Sequence, residues 1–120
     1  MNNDNIFVKI PNKADYISLV RLMSSAIGNK IGFNIDEIED LKVAMGEACI
    51  LSFVKEEKED IEIMYTIYPD KLMVIISRTG ELKTLIEETK EVQLGKMIIE
   101  SLMDEAYYSD NEITIIKLID

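Results

Sequence analysis

Phe33-Asn-Ile-Asp-Glu-Ile-Glu-Asp-Leu-Lys-Val-Ala-Met-Gly-Glu-Ala-Cys-Ile-Leu-Ser52 is the stretch whose reading decides the fold. It carries a complete helix start. Asn34 can cap the helix, Glu37 can close a capping box, and Phe33 can staple onto Ile38. Ile38, Leu41, Met45, Ala48, Cys49 and Ser52 then form one stripe at helical spacing. Val43, Ala44, Glu47, Ile50, Leu51 and Val54 lie on the adjoining flank. A helix apolar over so wide an arc is buried on much of its circumference. The pattern predicts a helix over 35–54, ended by the charged run at 55–60.

Working outward, Gly32 reads as the stop of an earlier helix. That helix is expected over 13–30, with a start signalled by Asn12 followed by Asp15. Leu19, Val20, Leu22, Met23, Ala26 and Ile27 recur along it at helical spacing. Before it, Ile6, Val8 and Ile10 alternate as a strand that Pro11 ends. After the central helix, Ile61–Tyr68 alternates, Pro69-Asp70-Lys71 is a turn, and Leu72–Ile76 completes a hairpin. Residues 77–93 are polar and poorly periodic. A third helix is expected near 94–104 and a last strand over Ile113–Ile119. This order suggests one domain, 1–120, built as a two-layer α/β sandwich with helices on one face of a mixed sheet. Such a layout names no function by itself.

Composition removes whole classes of chemistry. The chain has 120 residues, a net charge of −10, one cysteine and no histidine. Ser-His-Asp and Cys-His catalysis are excluded, as are a disulfide and a cysteine-based zinc site. An acidic domain is repelled by phosphate backbones, so no direct nucleic-acid partner is expected. The polar start, Met1-Asn-Asn-Asp-Asn5, is unlike a signal peptide, and the longest apolar run, Leu72–Ile76, is too short to span a bilayer. A cytoplasmic protein with no membrane partner is expected. The acidic pairs Glu56-Glu57 and Glu87-Glu88 read as solvated rather than as a metal site.

The central helix resembles the one that carries the catalytic Glu and the magnesium-binding Asn in anti-sigma-factor serine kinases. These bacterial proteins belong to the GHKL superfamily, with gyrase and histidine-kinase ATPase domains. The resemblance runs through Tyr16, Arg21 and Leu22. It continues through Gly32, Phe33, Asp36, Glu37, Ile38, Asp40, Leu41, Lys42, Ala44, Glu47, Ala48 and Cys49. It resumes at Leu94, Gly95, Glu100, Leu102, Met103, Asp104 and Glu105. It implies the histidine-kinase-like ATPase fold, with a shortened lid. It also places the general base at Glu47, and dimer and sigma-factor contacts on the first helix and its flanking strand, with Arg21 at a partner-contacting position.

The rest of the family's ATP site is altered. The Asn that holds Mg²⁺ corresponds to Leu51, and a hydrocarbon cannot ligate a hard cation that takes oxygen ligands. The Asp that accepts from adenine corresponds to Arg78, ahead of Thr79 and Gly80, and Arg only donates. The Gly-x-Gly-Leu stretch corresponds to Gln93-Leu94-Gly95-Lys96, which keeps one glycine. Lys96 is open to a phosphate contact or to plain solvation. Ile50, Leu51 and Phe53 are expected to fill space that holds nucleotide in catalytic relatives. The resemblance and these departures together imply a regulator that binds a sigma factor, an anti-anti-sigma (STAS) protein, or both. It would act as a homodimer, with a degenerate ATP site, a vestigial Glu47, no metal and no cofactor. An active ATP- and Mg²⁺-dependent serine kinase is one alternative, and a scaffold unconnected with sigma control is another. Arg21 is open to a second reading, a surface pair with an acidic neighbour such as Asp15.

Overall fold

The computed structural model describes residues 3–52, 60–78, 89–109 and 111–120. Five strands and three α-helices are described: β1 (Asp4–Ile10), α1 (Ile17–Lys30), α2 (Ile35–Ser52), β2 (Ile61–Ile67), β3 (Lys71–Arg78), α3 (Lys90–Leu102), β4 (Glu105–Tyr108) and β5 (Glu112–Leu118). A three-residue 3-10 turn, Ala14–Tyr16, leads into α1. The strands form one sheet in the order β1-β2-β3-β5-β4.

Every neighbouring pair is antiparallel, which corrects the expectation of a mixed sheet. The reason lies in the connections. Among the described elements, sheet neighbours are always separated by an even number of intervening helices or strands, each of which reverses the chain. Helices α1 and α2 lie between β1 and β2, α3 and β4 lie between β3 and β5, and the other two pairs are direct hairpins. Strand β4 is absent from the sequence reading. Its four residues, Glu-Ala-Tyr-Tyr, are too few to establish a period.

The inner face of the sheet is the alternating set that the sequence displays. Ile6, Val8 and Ile10 pair across to Tyr65, Ile63 and Ile61, and these continue to Val74, Ile76, Ile113 and Ile115. The helices cover this face, with α2 in the middle, packed against both α1 and α3. On α2, Leu41, Ala44, Met45, Ala48, Cys49 and Leu51 are buried, while Val43 and Ile50 are exposed. The expected apolar flank therefore splits into a covered half and a free half. The stripe on α1 splits in the same way: Val20 and Ile27 are buried, whereas Leu19 and Leu22 face out.

The α1–α2 corner follows its local chemistry. Gly32 takes φ +91°, the left-handed region that side chains resist. The Asn34 side chain accepts from the Glu37 backbone N–H at 2.8 Å, and the Glu37 carboxylate accepts from the Asn34 N–H at 3.0 Å. Phe33 and Ile38 both approach Gly28, as the staple requires. The start of α1 differs from expectation. A 3-10 turn precedes the helix, and the residues at the two N-cap positions, Lys13 and Tyr16, make no side-chain cap bond. Helix α3 begins earlier than expected, because Thr89 accepts from the Val92 N–H at 3.2 Å.

One polar bridge crosses the core. The Ser24 hydroxyl of α1 meets the Tyr65 hydroxyl of β2 at 2.8 Å. Burial pushes the Tyr65 phenol up to about 12, against the opposing pull of the Ser24 hydrogen bond. The buried phenol thus has the partner that a polar group needs away from water.

Candidate functional site

Two flanks of α2 carry the candidate residues. On the flank facing α3, Glu47 and Leu51 lie one turn apart and both meet Gly95. A Cβ built on Gly95 would stand 3.3 Å from a Leu51 methyl and 3.4 Å from Glu47 Oε2. Leu51 is only 7% exposed. Gly95 is buried within α3, so here the glycine admits a neighbouring leucine. Gln93 is exposed in the first turn of the same helix, its N–H bonded to the Thr89 carbonyl.

Not every expected residue joins this cluster. Ile50 is 48% exposed, so the expectation that it shares in the filling is corrected: of the described residues in that expectation, Leu51 carries the burial. Successive helical residues point about 100° apart, so a flank that covers Leu51 can leave Ile50 free. Phe53, Thr79 and Gly80 lie outside the described residues, as do the acidic pairs at 56–57 and 87–88. Arg78 ends β3, its backbone paired with Ile61. The Lys96 ammonium stands 5.0 Å from the centre of the Tyr108 ring, a cation–π contact. Among the described residues, no group of three or more acidic or cysteine side chains is placed to hold a metal ion.

The other flank faces α1. Ser18, Arg21, Leu22 and Ser25 of α1 and Glu39, Lys42 and Val43 of α2 line an open groove of about 390 Å³. Its apolar walls include Leu22, 70% exposed, and Val43, 41% exposed. Lys42 is held by Glu39 at 3.1 Å. Arg21 makes no ion pair among the described residues, so the alternative reading of a surface pair with Asp15 is not realised. Its guanidinium instead lies against Gly46, where a Cβ would come within 2.7 Å of Nη2. Below it, burial pushes the Cys49 thiol up to about 12, with the Arg21 charge pulling the other way. Cys49 is therefore a packing residue, since the thiolate is the reactive form. The sequence reading missed Gly46, because a helical glycine shows its use only when the facing side chain is known.

A helical layer over an antiparallel sheet, with a Glu on the central helix facing a glycine of the last, defines a class that comparison also identifies. A family model described as the histidine kinase-like ATPase domain matches residues 10–119. Serine-protein kinase RsbW of Bacillus cereus (strain Q1) is 30% identical over 127 residues, covering 91% of this chain and 79% of the relative. The same protein of Bacillus thuringiensis subsp. konkukian (strain 97-27) gives equal figures, and that of Bacillus mycoides (strain KBAB4) is 29% identical over the same length. The chain belongs to the histidine kinase-like ATPase domain family, within its branch of RsbW-type serine-protein kinases. No helix among the described residues is long and apolar enough to cross a membrane.

Proposed function

We propose that this chain is a regulator of transcription that acts by docking, holding a sigma factor, an anti-anti-sigma protein of the STAS type, or both, without turning over ATP. The observation that carries the reading is Leu51, packed with its methyl 3.3 Å from the Cβ position of Gly95 and beside Glu47. The residues there do not fit Mg-ATP. The position that would ligate the metal is hydrocarbon, and divalent magnesium takes oxygen. The glycine that would admit a phosphate admits Leu51 instead. Glu47 is left as a half-buried carboxylate without the metal site it would serve.

The α1 face supports the docking half. It exposes Leu22 beside Arg21 along the groove, and Leu19 one turn earlier on the same helix. Apolar side chains around an arginine are the usual make-up of an interface anchor. This face is also where we place the contacts of a homodimer. The relatives are named as serine-protein kinases, which supports the kinase alternative below, and Leu51 is what argues against it in this chain.

The test is a binding panel. The chain is immobilised and offered the sigma factors and STAS-domain proteins of its host, each purified separately. Retention of at least one, equal with and without Mg-ATP, is expected. Retention of none would sink the docking reading, and retention only with Mg-ATP would sink the claim of nucleotide independence. The kept Glu47 favours a second reading, an active serine kinase. Phosphate transfer from ATP to a STAS-domain protein, abolished by Glu47→Gln, would establish that alternative.

A further inference from the structure

We propose that Gly46 is a positioning residue for Arg21: having no side chain, it lets the guanidinium lie on the α2 backbone, fixed to present its donors to an acidic group of a bound protein. The inference rests on the docking function proposed above and names how that surface is built. It starts from a helical anomaly. Glycine in the middle of a helix is unfavourable relative to alanine, so a glycine there calls for a reason.

Gly28 has an ordinary one, since the Ile38, Phe33 and Leu41 side chains crowd the place its Cβ would take. Gly46 is different. The three nearest atoms to its Cβ position all belong to the Arg21 guanidinium group: Nη2 at 2.7 Å, Nε at 2.8 Å and Cζ at 3.1 Å. Cβ atoms do not approach other atoms that closely, so any other residue at 46 displaces the guanidinium. Displacing it leaves the fold intact, because what moves is the far end of an exposed side chain.

Two further observations agree. The charge of Arg21 is felt by Cys49, three residues beyond Gly46 and buried in the same helix, which locates the guanidinium over α2. Glu39, the acid among the groove's lining residues, is taken by Lys42, so it does not draw Arg21 away. An arginine free in solvent loses rotamer entropy when a partner fixes it, and one already seated loses less. Arg is also the cation whose planar fork matches a carboxylate.

The experiment has two arms. In the first, nitrogen-15 relaxation is read at the Arg21 Nε–Hε group, with Arg78→Lys as background so that Arg21 is the sole arginine. A restricted side chain is expected in this background, and a mobile one after Gly46→Ala, with a melting temperature equal or higher. A side chain already mobile before the change, or no change on Gly46→Ala, would overturn the proposal. In the second arm the probe is the sigma factor or STAS-domain protein that the wild-type chain retains. Gly46→Ala and Arg21→Ala should each weaken it by about fivefold, and the double variant by no more than either alone. Arg21→Lys, which keeps the charge and loses the fork, should weaken it too. Additive losses, or full affinity in Gly46→Ala, would overturn the proposal while leaving the docking function standing. If the wild-type chain retains no such protein, the docking function fails and the recognition half of this proposal falls with it. The relaxation arm then still decides whether Gly46 seats Arg21.

Discussion

The two flanks of α2 face opposite fates. Toward α3, the helix offers Glu47 and Leu51, and the gap over Gly95 is closed by a leucine side chain. Toward α1, it offers Gly46 and Val43, and the groove stays open beneath a seated arginine. One flank spends its apolar surface on internal packing, and the other leaves apolar surface beside a cation. An ATP site needs several unlike groups in register, and replacing one by hydrocarbon removes the metal. A docking face depends on shape and a few anchors, and it survives such a loss. On this account the chain has kept the second and given up the first.

Stability measurements should separate the flanks most sharply. Leu51→Ala is expected to cost about 2–5 kcal/mol in chemical denaturation, the range for a buried leucine. Ile50→Ala, one residue away and half-exposed, should stay within about 1 kcal/mol. Equal costs would break the comparison. Leu51→Asn should lose stability as well, and it should not restore Mg-ATP binding.

High pH gives the next effect. Cys49 and Tyr65 both stay protonated when folded, at about 12, against ordinary values of 9.0 and 10.0. Between about pH 9 and 12 the unfolded chain therefore gives up protons that the folded chain keeps. Stability is full below pH 9 and falls as pH rises, by roughly 1.4 kcal/mol per pH unit from Cys49 above about pH 9 and by a similar further slope from Tyr65 only above about pH 10. Cys49→Ala should flatten the early part of the fall in an alkaline denaturation series. A flat wild-type profile up to pH 11 would contradict the buried environment of both groups.

The corner between the helices tests local chemistry alone. Asn34→Ala removes a cap bond of 2.8 Å and should cost about 1 kcal/mol, read from the denaturation midpoint. This corner was legible in the sequence because a capping box and a positive-φ glycine are local devices, complete within a few residues. The inner strand faces were legible for the same reason, since period two shows in five residues or so. Strand direction was not. Whether a sheet is mixed or antiparallel depends on how many elements separate neighbours, and the unread β4 changes that count. The site divided along similar lines. Leu51 at a metal-ligand position could be recognised from the chain, because the mismatch is chemical. That Ile50 faces solvent and that Gly46 lies under Arg21 are facts about the facing helix. No spacing along a single helix encodes them.

The smallest expected change in stability belongs to Arg21→Ala. The residue makes no ion pair among those described, so its melting temperature should move little while partner affinity drops by about fivefold. A large loss of stability would make Arg21 a structural residue and merge the two flanks into one.

The central claim is that the α3 flank of α2 no longer takes nucleotide, and calorimetric titration of the purified chain with Mg-ATP tests it most directly. The account predicts no heat of binding across the micromolar range. A saturable isotherm with micromolar affinity, weakened by Glu47→Gln, would contradict it.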